Sequence, residues 1–192
     1  MEKTFSLSLE NKIRSIAAIS QESLSMLVQE IQLMHISKNE MLLTEGQFCK
    51  HVYFVEKGGI RTFMHNNDMK EINVNFTFDN SFTTELKSLR TSTPSAFFMQ
   101  ALEDTTVWLF EKDVLLALYA QSHEISNFGR SLLEQLLMEQ EEHANMFKLQ
   151  TPAERYQYLY DHQPAMLQRI SLTHLASYLG ISRETLSRIR RH

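Results

Sequence analysis

The chain has 192 residues, 43% of them apolar, enough to bury one full core and a second small one, so one or two domains are expected. A net charge of −4 argues against a protein that coats nucleic acid with its whole surface, and the single cysteine, Cys49, excludes an internal disulfide, a structural zinc site and an iron–sulfur cluster. No apolar stretch approaches the roughly 20 residues of a membrane-spanning helix, and Met1 to Glu10 lacks the basic start and apolar run of a secretory signal; no membrane contact is expected, and the cytoplasm is the expected location.

Between Leu9 and Met34 the apolar residues Ile13, Ile16, Ala17, Leu24, Leu27, Val28 and Ile31 recur at three and four residues, with a break at Ser20, which predicts two short helices. From His35 to Glu111 the pattern changes to short runs rich in Val, Ile, Phe, Tyr and Thr, separated by Gly46, Gly58-Gly59, Asn66-Asn67, Asp79-Asn80 and Pro94. Strands at that spacing predict a β-sandwich or barrel. After Asp113 helical periodicity returns. Over Ser122 to Leu149 it places Ile125, Phe128, Leu132, Leu133, Leu136, Leu137, Ala144, Met146 and Phe147 on one broad face, opposite Arg130, Glu134, Glu141 and Lys148. Either that helix packs only on its own β-domain, or part of the face meets the same helix of a second subunit. Thr151-Pro152 ends it, since proline suits the first turn of a new helix and not the interior of an old one. This divides the chain into 1–150 and 151–192.

Charge is divided at the same point. Residues 1–151 carry 13 Lys plus Arg against 20 Asp plus Glu, whereas residues 152–192 carry 6 Arg against 3 acids. Within the basic segment, SLTHLASYLGISRETLSRIRR runs from Ser171 to Arg191. Ser171 is placed to cap a helix whose Leu172, Leu175, Ala176 and Leu179 face inward, and Gly180 allows the sharp exit. Ser182 is placed to cap a second helix in which Leu186 and Ile189 face the core while Arg183, Glu184, Ser187, Arg188 and Arg191 fall on the other side. Two helices joined by a tight glycine turn, the second with an arginine-rich outer face, form the helix-turn-helix pattern. An amphipathic hairpin with a solvated charged face would show the same periodicity. Arginine can donate twice to guanine, a carboxylate can accept from cytosine and a hydroxyl can serve base or phosphate; Glu184, repelled by phosphates, favours base reading over simple charge attraction.

The string LASYLGISRETLSRIRR resembles the recognition motif of the cyclic-AMP receptor and fumarate–nitrate regulator (Crp/Fnr) family of bacterial transcription regulators, and the order β-domain, long helix, helix-turn-helix is similar along nearly the whole chain. The resemblance implies an α+β fold: an N-terminal β jelly roll with flanking helices, a long dimerisation helix at about 122–149 and a C-terminal, winged helix-turn-helix domain. It also implies a homodimer on roughly palindromic double-stranded DNA, with Arg183, Glu184 and Arg188 as base readers at half-sites similar to TGTGA, Ser171 on phosphate, and RNA polymerase as a further partner. The stretch LLTEGQFCKHVYFVEKGGIRTFM resembles the family's cyclic-nucleotide-binding domain. Its ligand clamp is altered: in TTELKSLRTSTPSAFFMQALED, Glu85 keeps the family's glutamate position, but Thr84 stands for the glycine and Ser95 for the arginine that holds the cyclic phosphate. A serine leaves that buried charge unpaired, so cyclic AMP is not predicted.

The candidate effector residues are therefore Glu85, Ser95 and, if its loop folds inward, Arg90, with the small-molecule effector itself unknown. No cofactor and no metal are expected: Cys49, His35, His51 and His65 do not stand in ligand spacing for haem or for a cupin-type metal. No Ser-His-Asp grouping or phosphate-binding glycine loop is present, so an enzyme is not expected. The alternative is a small-molecule-binding sensor whose helix-turn-helix is vestigial.

Overall fold

A computed structural model describes residues 6–191. The chain opens with helices α1 (Leu7–Ile16) and α2 (Gln21–Glu30), each begun by a serine, Ser6 and Ser20, whose hydroxyl accepts from a backbone N–H three residues on. Eight strands follow: β1 (Gln32–Ile36), β2 (Met41–Leu43), β3 (His51–Lys57), β4 (Gly59–His65), β5 (Glu71–Phe78), β6 (Ser81–Thr83), β7 (Phe98–Ala101) and β8 (Thr105–Glu111), with helix α3 (Leu86–Thr91) between β6 and β7. They form two antiparallel four-stranded sheets, in the orders β1-β8-β3-β6 and β2-β7-β4-β5. The first strand begins before His35 and a short helix interrupts the expected strand region. Both departures come from stretches without clear periodicity.

The β1-β8-β3-β6 sheet is covered on both faces, which explains why its central strands read as continuous apolar runs. In β3, Tyr53 and Val55 point into the space between the sheets, with Ile60, Met99 and Val107, while Phe54 points the other way. There Phe54 joins Phe82, Trp108 and Phe110 under a cap of Leu9, Ile13, Leu24, Leu27, Ile125 and Phe128. The β3–β4 turn passes through Gly58 at φ 109°, where a side chain would collide with Thr105 as well as adopt a left-handed backbone.

Two helices follow the last strand, α4 (Lys112–Gln121) and the 27-residue α5 (His123–Leu149), separated at Ser122, which caps α5 through the amide of Ile125. On α5, Ile125, Phe128, Leu132 and Met146 are buried against the body, but Leu133, Leu137 and Met138 are exposed at 42%, 69% and 57%. The apolar face is thus wider than its intramolecular contacts. A capping box of Thr151 and Glu154, with Pro152 in the first turn, starts α6 (Pro152–His162). Then come α7 (Pro164–Arg169), α8 (Leu172–Leu179) and α9 (Arg183–Ile189) around a separate cluster of Leu159, Met166, Ile170, Leu175, Leu179 and Leu186. Among the described residues no strand follows Glu111, so the C-terminal unit is helical throughout and shows no wing strands.

Candidate nucleic-acid interface

The geometry of α8 and α9 follows from their local sequence. The Ser171 hydroxyl accepts from the His174 amide at 3.1 Å, Gly180 leaves α8 at φ 69°, and the Ser182 hydroxyl accepts from the Thr185 amide at 3.1 Å. Arg155 fixes the turn from outside by donating to the Leu179 carbonyl at 2.8 Å. Leu186 is wholly buried, which sets the rotation of α9 and turns Arg183, Glu184, Ser187, Arg188 and Arg191 to solvent together. Ser171 and Ser182 are exposed at the starts of the two helices.

Four of the seven residues picked from the sequence share the outer side of α9, Arg191 is exposed just past its end, and the other two cap the helices that present it. Arg190, which the sequence pattern does not single out, is exposed beside them. Among the described residues none of Arg183, Arg188, Arg190 and Arg191 takes part in an ion pair; Arg188 bonds only the Thr185 hydroxyl, at 3.2 Å. Hydrogen bonds from its own backbone amide and from Ser182, then the charge of Arg183, hold the Glu184 carboxyl below the usual carboxylate range. At neutral pH the face carries a fixed acceptor among guanidinium donors.

The three effector candidates do not converge. Glu85 is buried and caps α3, its carboxylate accepting from the Ser88 amide at 2.8 Å; it lines a cleft of about 910 Å³ between β5, β6, the C-terminal half of α5 and the α6–α7 region. Ser95 is buried but closes on its own turn, donating to the Phe97 carbonyl and accepting from the Phe97 amide. Arg90 is exposed at the end of α3 and lines a different, smaller cavity. The guanidinium that does line the large cleft, Arg169, is engaged by Asp79, Glu103 and the Gly58 carbonyl and lies over the Phe78 ring. Of the histidines weighed from the sequence, His35 bonds Thr106, His51 lies tilted against Tyr53 and His65 meets Phe98 edge-on.

A polar seam joins α7 and α8 to the β2-β7-β4-β5 sheet. Buried Arg61 on β4 donates to Glu71 at 2.5 Å, to Gln100 at 2.8 Å and to Asn73 at 3.3 Å. The Ser177 hydroxyl on α8 accepts from the Asn73 amide and donates to the Glu71 carbonyl, while His174 faces Arg61 and Asn73. Sequence reasoning missed this set because its two halves, on the sheet and on α8, lie about a hundred residues apart with no local pattern.

Residues 33–122 match the model of the cyclic nucleotide-binding domain family. Similar solved structures include FixK2 from Bradyrhizobium japonicum, at 20% identity and TM-score 0.72, covering 84% of this chain and 83% of that one. The catabolite activator protein of Thermus thermophilus is 19% identical, with TM-score 0.59 and coverage of 94% and 85%. The c-di-GMP-responsive global regulator CLP of Xanthomonas campestris is 15% identical, with TM-score 0.70 and coverage of 90% of each chain. No curated protein sequence matches the chain. Residues 33–122 thus resemble a cyclic nucleotide-binding domain, and the chain shares the fold of these solved structures, in line with the motif resemblance.

Proposed function

We propose that this protein is a sequence-specific DNA-binding transcription regulator that acts as a homodimer on a roughly palindromic site, without cyclic AMP as its effector. The observation that carries the reading is the outer face of α9: a row of guanidinium groups free of ion pairs, interrupted by one ionised carboxylate, behind a Ser-capped glycine turn. Arg183, Glu184 and Arg188 read base edges; Ser171, Ser182, Ser187 and Arg191 serve phosphates or neighbouring bases. Residues 1–150 form the sensor unit and residues 151–192 the reading head. The exposed row Leu133, Leu137 and Met138 supports pairing of α5 with its copy. Such pairing would set two α9 helices about 34 Å apart, one turn of duplex. The absence of cyclic AMP is supported by Ser95, which is turned onto its own backbone where a cyclic phosphate would need a guanidinium.

Selection of bound sequences from random duplex DNA by the unliganded protein, with and without cyclic AMP at near-physiological salt, tests the reading. A palindrome is expected in both arms; enrichment only with cyclic AMP overturns the effector assignment, and no enrichment in either overturns the DNA assignment for the unliganded protein. Replacing Arg188 by Ala removes one bidentate base contact, weakening specific binding by about 1–3 kcal/mol and relaxing the preference at one base pair. Unchanged specificity in that variant would remove Arg188 from the reading face.

A further inference from the structure

The cavity lined by Arg90 adjoins the large cleft across Phe82, Thr84, Leu86 and Leu136, but its chemistry is opposite. It measures about 80 Å³ and lies between β3, β6, β8, α3, α4 and α5. Its wall is aliphatic and aromatic, including Val52, Phe82, Leu89, Phe110, Leu115 and Phe128. The polar groups on its lining are few: Arg90, Lys112, Thr84 and Tyr119, with no carboxylate among them. Thr84 is spent on the His51 carbonyl. The large cleft, by contrast, has four carboxylates, Asp79, Glu85, Glu139 and Glu142, against Lys87 and the already engaged Arg169.

Tyr119 on α4 sits largely buried where its hydroxyl rests against Gly129 of α5; a side chain at Gly129 would collide with it. Among the described residues that hydroxyl forms no hydrogen bond, and Arg90 forms neither a hydrogen bond nor an ion pair. Lys112 touches only the Ser92 hydroxyl, at 3.0 Å, which leaves two of its three ammonium hydrogens available. An apolar chamber with one unpartnered hydroxyl and two cations lacking carboxylate partners suits a molecule with an apolar chain and one negative end. Size narrows the class. A cavity of about 150 Å³ accommodates benzene, with six carbons, so roughly half that volume accommodates an aliphatic chain of about three carbons.

We propose that this cavity binds a short aliphatic carboxylate, its chain between Phe82, Leu89 and Leu132 and its carboxylate taken by Arg90, Lys112 and the Tyr119 hydroxyl. The site differs from the cleft that holds Glu85, and its wall includes Phe128, Leu132, Leu133 and Leu136 of α5. Occupancy therefore bears on the packing of the helix that the proposed function assigns to dimerisation; only this link to regulation rests on that reading.

The test is a calorimetric titration of the 192-residue protein with butanoate, butan-1-ol and butylamine in parallel, without DNA. Saturable binding of butanoate is expected, with the alcohol at least about tenfold weaker and the amine not bound, since a charge-assisted pair is stronger than a neutral hydrogen bond. The Arg90→Met variant, whose change lies on an exposed side chain, should bind butanoate about tenfold more weakly and the alcohol unchanged. Leu116→Phe, at the half-exposed mouth, should reduce binding of both. No saturable binding of butanoate, or equal binding of acid, alcohol and amine, overturns the proposal. Because these titrations contain no DNA, their failure leaves the sequence-selection result standing, and the reverse holds too.

Discussion

The two sheets of the β-sandwich are covered by different chemistry. Over the β1-β8-β3-β6 sheet the cover is chiefly apolar: Phe54, Phe82, Trp108 and Phe110 meet Leu24, Leu27, Ile125 and Phe128, the Phe82 and Phe128 rings lie 5.9 Å apart edge to face, and polar contacts such as Trp108 and Ser6 to Glu56 are few. Over β5 of the other sheet the cover is mixed. Phe76 and Phe78 give some apolar contact to the C-terminal cluster, but Arg61, Glu71, Asn73, His174, Ser177 and the Arg169 group make up most of the specific joinery. An apolar seal grows with buried area and holds no proton, so it does not depend on pH. A polar seam exchanges water contacts for internal ones at small net gain and depends on the charge state of each member. The body and its helices are thus built as one unit. The C-terminal helical unit is held to it by contacts that a single proton or a single substitution can disturb.

The apolar seal should show the largest effect. Phe128→Ala removes a ring that is 2% exposed and should cost about 3–5 kcal/mol in equilibrium denaturation of the whole protein. A cost near zero would mean that α5 is not part of the body's core. The seam should respond more modestly and more locally. Arg169→Met leaves Asp79 and Glu103 without their shared cation, and since all three side chains are partly exposed, about 1–2 kcal/mol is expected. Amide hydrogen exchange should locate that loss at β5 and α8, with the β1-β8-β3-β6 strands unchanged. Equal loss of protection in both sheets would erase the distinction between seal and seam.

The contrast also explains what could be read in the sequence. The apolar seal and the helix-turn-helix are local facts: Ile125, Phe128 and Leu132 recur at helical spacing, and Ser171, Gly180, Ser182 and Leu186 each determine a cap, a turn or a rotation within a few residues. They were legible for that reason. The helix α3 was hidden because its six residues, Leu86 to Thr91, are too few to establish a period and owe their start to the buried cap Glu85. The seam was hidden for a different reason: Arg169 reaches Asp79 and Glu103, 90 and 66 residues away, and an arginine in a polar stretch carries no sign of its partner. The effector residues show the same limit. Glu85, Arg90 and Ser95 are neighbours in the chain, yet backbone turns send them to a cleft, an adjoining cavity and a closed turn.

The smallest effect, and the sharpest probe of the seam, is its dependence on pH. The His174 Nδ1 lies 3.4 Å from both the Arg61 guanidinium and the Asn73 amide nitrogen, two donors, so the docked arrangement requires a neutral ring with Nδ1 accepting. Burial, and next the Arg61 charge, lower its pKa from 6.5, with Glu71 pulling weakly the other way. A pKa lower in the docked state than in the free one means that the seam has its full strength above about 6.5 and weakens as pH falls from there toward the docked value. Glu71 titrates in a separate window: its hydrogen bond from Arg61 lowers its pKa below 4.5, so its contribution is lost only at still lower pH. His143, set between Phe147 and Tyr178 and likewise lowered by burial, acts with the same sign at the α5–α8 contact. The Asn73 amide, which donates to Ser177 at 3.0 Å, reports on the seam directly. Its exchange protection should fall as pH drops below about 6.5 in the parent protein, fall less in His174→Gln, and show in that variant only the part due to His143. A profile identical in the two proteins would show that the proton enters elsewhere and that the seam is held by Arg61 and Arg169 alone.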